Sequence, residues 1–128
     1  ALSRPDFFGA VCSFSGSLRV QDRMEGKSAN SGNQCAGMYG DPPVIIPEEQ
    51  DLFFMLGKLK EKAAEIPRIF CCCGTADKPH IYGAYLSFTK YAGEIGVPVV
   101  ARETEGAGHT WDFWESMIPE VLDWMMET

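Results

Sequence analysis

Long apolar runs are missing from this 128-residue chain. A helix that crosses a bilayer needs roughly 18 or more consecutive apolar residues, and no stretch approaches that length. Basic residues are scarce as well, 11 Lys and Arg against 18 Asp and Glu, for a net charge of −7. Nucleic acid and anionic membrane surfaces are met by a basic stripe, so neither partner is expected. The five cysteines include no C-x₂₋₄-C pair, the usual spacing of zinc ligands, so no metal is implied. An odd count with Cys71, Cys72 and Cys73 adjacent is also a poor disulfide framework. Thiols of this kind suit a reducing compartment, which makes the cytoplasm the expected location. The N-terminus has neither an initiator Met nor the apolar core of a signal peptide. It is read as the start of a processed, truncated or cleaved product. Internal repeats and low-complexity tracts are absent.

What remains is 45% hydrophobic and 23% charged, the balance of a folded globular domain rather than a disordered one. Three apolar segments read as strands, at residues 8–14, 68–73 and 97–102. The first two are almost continuously apolar, as buried parallel strands are when helices cover both faces of a sheet. Cys71 to Cys73 lie in the second and read as small buried hydrophobes. Between the strands the period changes. Pro47 suits a first helical position, and Leu52, Leu56, Leu59 and Ala63 then recur at helical spacing up to Pro67. Ile81, Tyr85, Phe88 and Ala92 do the same before Gly93 and Gly96. A last stripe comprises Trp114, Met117, Ile118, Val121, Leu122 and Met125, with Pro119 inside it expected to kink or restart the helix. Residues 19–43 have no clear period and read as a long excursion with one short helix near 30–38. Residues 1–4 read as the last turn of a helix. Strands alternating with helices imply right-handed crossovers and a parallel sheet in a three-layer αβα arrangement.

Ligands of open α/β sheets gather beyond the carboxyl ends of the strands. Asp77 follows the second strand there, in Gly74-Thr75-Ala76-Asp77. His109 follows the third, in Gly106-Ala107-Gly108-His109-Thr110. With one helix and one strand between them, the two fall on neighbouring strand tips. The pairing has a chemical use. An imidazole takes a proton from a weak hydroxyl nucleophile near neutral pH. A carboxylate on its other ring nitrogen fixes the tautomer and stabilises the imidazolium. The plainer alternatives are that Asp77 caps the following helix and that His109 is a satisfied loop histidine or a helix N-terminal residue. His80, beside Asp77 in sequence, is a weaker candidate for catalysis. Ser13, Ser15 and Ser17 lack the strand–turn–helix setting of an activated serine.

Gly74-Thr75-Ala76-Asp77 and Gly108-His109-Thr110-Trp111-Asp112-Phe113-Trp114 resemble the acid and histidine motifs of a family of serine esterases. That family includes tributyrin-type esterases, S-formylglutathione hydrolase, and carbohydrate esterases such as feruloyl and acetylxylan esterases. Residues 4–10 and Ser13-Phe14-Ser15-Gly16 resemble the stretch after its nucleophile helix. The likeness runs through nearly the whole chain and is weakest at 19–47. It implies the C-terminal portion of a single α/β-hydrolase domain across residues 1–128, with triad order Ser, acid, His. Asp77 and His109 are then the catalytic acid and base, and Trp111 a candidate for lining the substrate pocket. Two departures stand out. No G-x-S-x-G elbow occurs anywhere in the chain, and Lys78-Pro79-His80 replaces a more apolar continuation. The resemblance thus implies an esterase piece whose nucleophile and N-terminal half are absent, and which is inactive alone. No cofactor is implied. The substrate class is a small ester, a thioester or an acylated sugar. The rival reading is a non-catalytic binding or scaffold module. A first strand without its neighbour would expose an apolar edge, so self-association or a companion chain through residues 8–14 is expected.

Overall fold

The computed structural model describes residues 1–19 and 46–127. The short helix expected near 30–38, with most of the excursion, lies outside them. Three strands, β1 (Ala10–Phe14), β2 (Arg68–Gly74) and β3 (Val99–Thr104), form one parallel sheet in the order β1-β2-β3. A 3₁₀ turn, Glu48–Gln50, leads into α1 (Leu52–Glu61); α2 (Pro79–Glu94) and α3 (Trp111–Met126) are the other helices among the described residues.

β2 is the centre of the molecule, and its side chains alternate between two cores. Ile69, Cys71 and Cys73 meet Leu56 of α1 and Ile81, Tyr85, Phe88 and Ala92 of α2. Phe70 and Cys72 meet Phe113, Met117, Val121 and Trp124 of α3 on the other face. The sheet is therefore sandwiched, and the parallel three-layer arrangement is present. The three adjacent cysteines are at most 1% exposed and serve as small apolar fillers of both cores. Burial pushes each thiol up to about 12, so all three stay protonated.

Several expected boundaries move, each for a local reason. β1 begins at Ala10 because Phe7 and Phe8 donate their amides back to Arg4 in a turn; Phe8 is left exposed. Residues 1–4 form a hydrogen-bonded turn, with Arg4 N donating to Ala1 O. β3 starts two residues late. Val97 is still occupied closing α2 through Ala92 O, and Pro98 has no N–H to give the ladder. Pro47 does not open α1; Asp51 does, its carboxylate accepting the Phe53 and Phe54 amides. Ala63 falls beyond α1, at a positive φ of 48°.

The last helix corrects the sequence reading most. Its buried stripe is Phe113, Met117, Val121 and Trp124, whereas Ile118, Leu122 and Met125 are exposed. Pro119 neither restarts nor ends α3, which runs unbroken. The carbonyl that Pro119 deprives of a partner is that of Glu115, and both residues are exposed, so water can take the missing bond. At the far end Arg68 donates to the Trp124 and Met125 carbonyls at 3.1 and 3.0 Å, with its guanidinium 4.6 Å from the Trp124 ring. A cation on the last carbonyls of a helix is favourably placed.

Candidate active site

The carboxyl ends of β2 and β3 are laced together before any reactive group appears. Thr75 N donates to Thr104 O, Ala76 N to Ala107 O, and Gly106 N to Thr75 Oγ1 at 2.9 Å. Gly106 turns the second loop at φ +74°, a conformation that side chains resist. Gly74 permits the close approach of the loops: a Cβ there would lie 2.1 Å from the Ala107 carbonyl oxygen.

This lacing brings Asp77 and His109 together. His109 Nδ1 lies 3.0 Å from Asp77 Oδ1 and 3.3 Å from Oδ2. Asp77 Oδ1 also accepts the Lys78 amide at 2.6 Å. The Asp77 side chain is wholly buried, while that of His109 is 33% exposed. An acceptor carboxylate on Nδ1 places the ring proton there and leaves Nε2 with its lone pair. Asp77 is not a helix cap: the cap position of α2 is Lys78, without a side-chain bond. Thr110, just after His109, caps α3 by accepting the Phe113 amide. His80 stands in the first turn of α2, outside the pair.

His109 borders a cleft of about 730 Å³ lined by Phe14, Ser15, Trp111, Trp114, Glu115 and Ile118. Trp111 is 79% exposed at its rim. Trp114 touches the imidazole: the rings meet edge to face with centroids 4.9 Å apart, and Trp111 packs on Trp114 the same way at 5.0 Å. Sequence reasoning favoured Trp111 for the pocket and underrated Trp114. The usable signal was helical phase, since a residue in the first turn after Thr110 faces back toward the loop that holds His109. Ser15 is the other surprise. It is buried, sits at φ 48°, and its hydroxyl has no neighbour to bond among the described residues beyond the Cys73 thiol. Backbone strain and a weakly partnered buried polar group at one residue mark functional clefts more often than plain cores. Among the described residues no group of three or more His, Cys, Asp or Glu could hold a metal ion. No described helix is long and apolar enough to cross a membrane.

No protein-family model matches the chain. An acetyl esterase of Caldicellulosiruptor saccharolyticus is 32% identical over 95 residues, which are 74% of this chain and 35% of that protein. Among solved structures, the fluorophosphonate-binding serine hydrolase FphF of Staphylococcus aureus superposes with a TM-score of 0.80 at 22% identity. It covers 99% of this chain, which in turn covers 48% of FphF. The S-formylglutathione hydrolase FrmB of the same organism gives 0.70 at 22% identity, with coverages of 99% and 45%. The chain thus spans about a third of the acetyl esterase and under half of either hydrolase. Sequence and fold together show that this chain resembles the esterases of the α/β-hydrolase superfamily.

Proposed function

We propose that the chain is the C-terminal part of a serine esterase, contributing the acid and the base of a Ser-Asp-His triad. The observation that carries this is the 3.0 Å contact between His109 Nδ1 and the buried Asp77 carboxylate, at adjacent strand tips beside an open cleft. Asp77 holds the ring and stabilises its charged form. His109 Nε2 takes the serine proton as the hydroxyl attacks the ester carbonyl, and returns it to the departing alcohol. Water repeats the cycle on the acyl-enzyme. The nucleophile lies outside these 128 residues, since no glycine-flanked G-x-S-x-G is among them. Trp111 lines the substrate side of the cleft. The substrate is a small ester, thioester or acylated sugar, and the free thiols fit a cytoplasmic setting.

The same reading supports pairing at β1. Only β2 adjoins it among the described residues, so a further strand, from a second copy or a companion chain, fits its open edge. Sedimentation velocity would then show association that rises with concentration.

The test joins the chain to its upstream coding segment and measures p-nitrophenyl acetate hydrolysis. Asp77→Asn and His109→Ala should each lower kcat by roughly 10⁴-fold, and the 128-residue chain alone should show no triad-level turnover. Full activity in either variant refutes the triad assignment, and no hydrolysis by the joined protein leaves the binding-module alternative.

A further inference from the structure

The two oxygens of Asp77 keep unequal company. Oδ1 has the Lys78 amide and the closer contact to His109, while the one nitrogen near Oδ2 among the described residues is the same ring nitrogen at the longer 3.3 Å. A buried carboxylate oxygen short of donors is costly. The group that answers Oδ2 is Cys73 Sγ, at 3.8 Å. Cys73 is fully buried near the end of β2, four residues before Asp77.

We propose that Cys73 is a positioning residue for the acid of the pair. Its S–H donates to Asp77 Oδ2, sets the rotation of the carboxylate, and keeps Oδ1 aimed at Lys78 N and His109 Nδ1. The thiol suits the task because it stays a donor. Burial, with Asp77 beside it, pushes Cys73 up to about 12, so it does not ionise in the neutral range. A hydroxyl would donate more strongly but would cost more to bury in the apolar core that Cys73 also fills.

Among the described residues the Gly74 carbonyl, at 3.6 Å, competes for the single thiol proton, while the Ser15 hydroxyl beside the sulfur acts as a donor to it. The charged acceptor makes the stronger bond, and Cys72 supplies a reference, its thiol facing the Ser13 carbonyl at 3.5 Å. The consequence for catalysis rests on the proposed esterase reading, but the hydrogen bond does not, so it is tested without turnover.

The S–H stretch falls in an infrared window almost free of other protein bands. Difference spectra of the 128-residue chain against Cys72→Ala and Cys73→Ala assign the two thiols. The Cys73 band should lie at lower frequency than the Cys72 band. Asp77→Asn should move it to higher frequency and leave the Cys72 band in place, which also reports that the core is folded. In proton NMR, the downfield His109 Nδ1–H resonance should survive in Cys73→Ser, which retains a donor, and shift or broaden in Cys73→Ala. A packing role alone predicts the reverse order, because the apolar alanine suits the core better than serine. A Cys73 band indifferent to Asp77→Asn would place the proton on Gly74 and overturn the proposal. So would an unchanged Nδ1–H resonance in Cys73→Ala. If that variant does not fold, the Asp77→Asn shift decides. A shifted band together with full esterase activity in Asp77→Asn would sink the triad reading and leave the thiol–carboxylate bond intact.

Discussion

Gly74→Ala is the sharpest perturbation this structure offers. The added Cβ would meet the Ala107 carbonyl oxygen at 2.1 Å, its carbon at 2.5 Å and the Ala107 Cβ at 2.9 Å. All three belong to a held loop, not to the end of a flexible side chain. Restoring ordinary contact, about 3.4 Å, means separating the loops by about 1.3 Å. Overpacking of that kind costs about 1–3 kcal/mol, and the neighbouring Ala76 N to Ala107 O bond, worth about 1 kcal/mol, is lost with it. The sum is about 3 kcal/mol. His109 is two residues beyond Ala107, so its 3.0 Å contact with Asp77 would stretch past hydrogen-bonding range. Urea unfolding followed by tryptophan fluorescence should show a midpoint lower by about 1 M or more. The matched control is Gly83→Ala, in the second turn of α2, where a Cβ meets nothing within 4 Å. That change should raise stability by about 0.5–1 kcal/mol through helix propensity. A Gly74→Ala midpoint no lower than wild type would refute the close approach of the two loops.

Three further outcomes are expected. The buried thiols of Cys71, Cys72 and Cys73 have folded values raised from 9.0 to about 12. Their contribution is therefore complete below about pH 9 and is lost as pH climbs toward 12; a urea midpoint that stays flat above pH 9 would contradict their burial. Ser15→Gly relieves a positive φ and removes a buried hydroxyl with only a thiol beside it among the described residues, so thermal melting should show a gain of about 0.5–1 kcal/mol. A clear loss would mean that the contact of the hydroxyl with the Cys73 thiol outweighs the strain. On α3, Phe113→Ala should cost about 3–5 kcal/mol and Leu122→Ala under about 0.5 kcal/mol; equal losses in denaturant titrations would show that the helix is rotated from the phase described.

How far the fold was legible depended on whether local chemistry had rivals. The apolar run of β2 could be nothing but a buried strand, and its bounds came out within a residue. α3 was harder. Ile118, Leu122 and Met125 repeat at helical spacing as regularly as Met117, Val121 and Trp124 do, so the pattern contains two neighbouring stripes. Only packing against Phe70 and Cys72 chooses between them. Phe7 and Phe8 look like the start of a strand, but a turn built on Arg4 claims their amides. At the site, Asp77 and His109 could be found because each follows a strand into a glycine-bearing turn. Phe14 and Ser15 could not, because the cleft they share with His109 joins segments far apart in sequence. Cys73 was hidden by its surroundings: in an apolar run a thiol reads as filler, and its approach to a carboxylate is a tertiary fact.

α3 is fastened at both extremities. Its first turn presses Trp114 on the imidazole, and its last carbonyls are gripped by Arg68 from the opposite margin of the sheet. The helix therefore acts as a strut. Sliding or tilting it would require releasing both holds at once, so the location of His109 is set partly by an arginine sixteen residues of helix away.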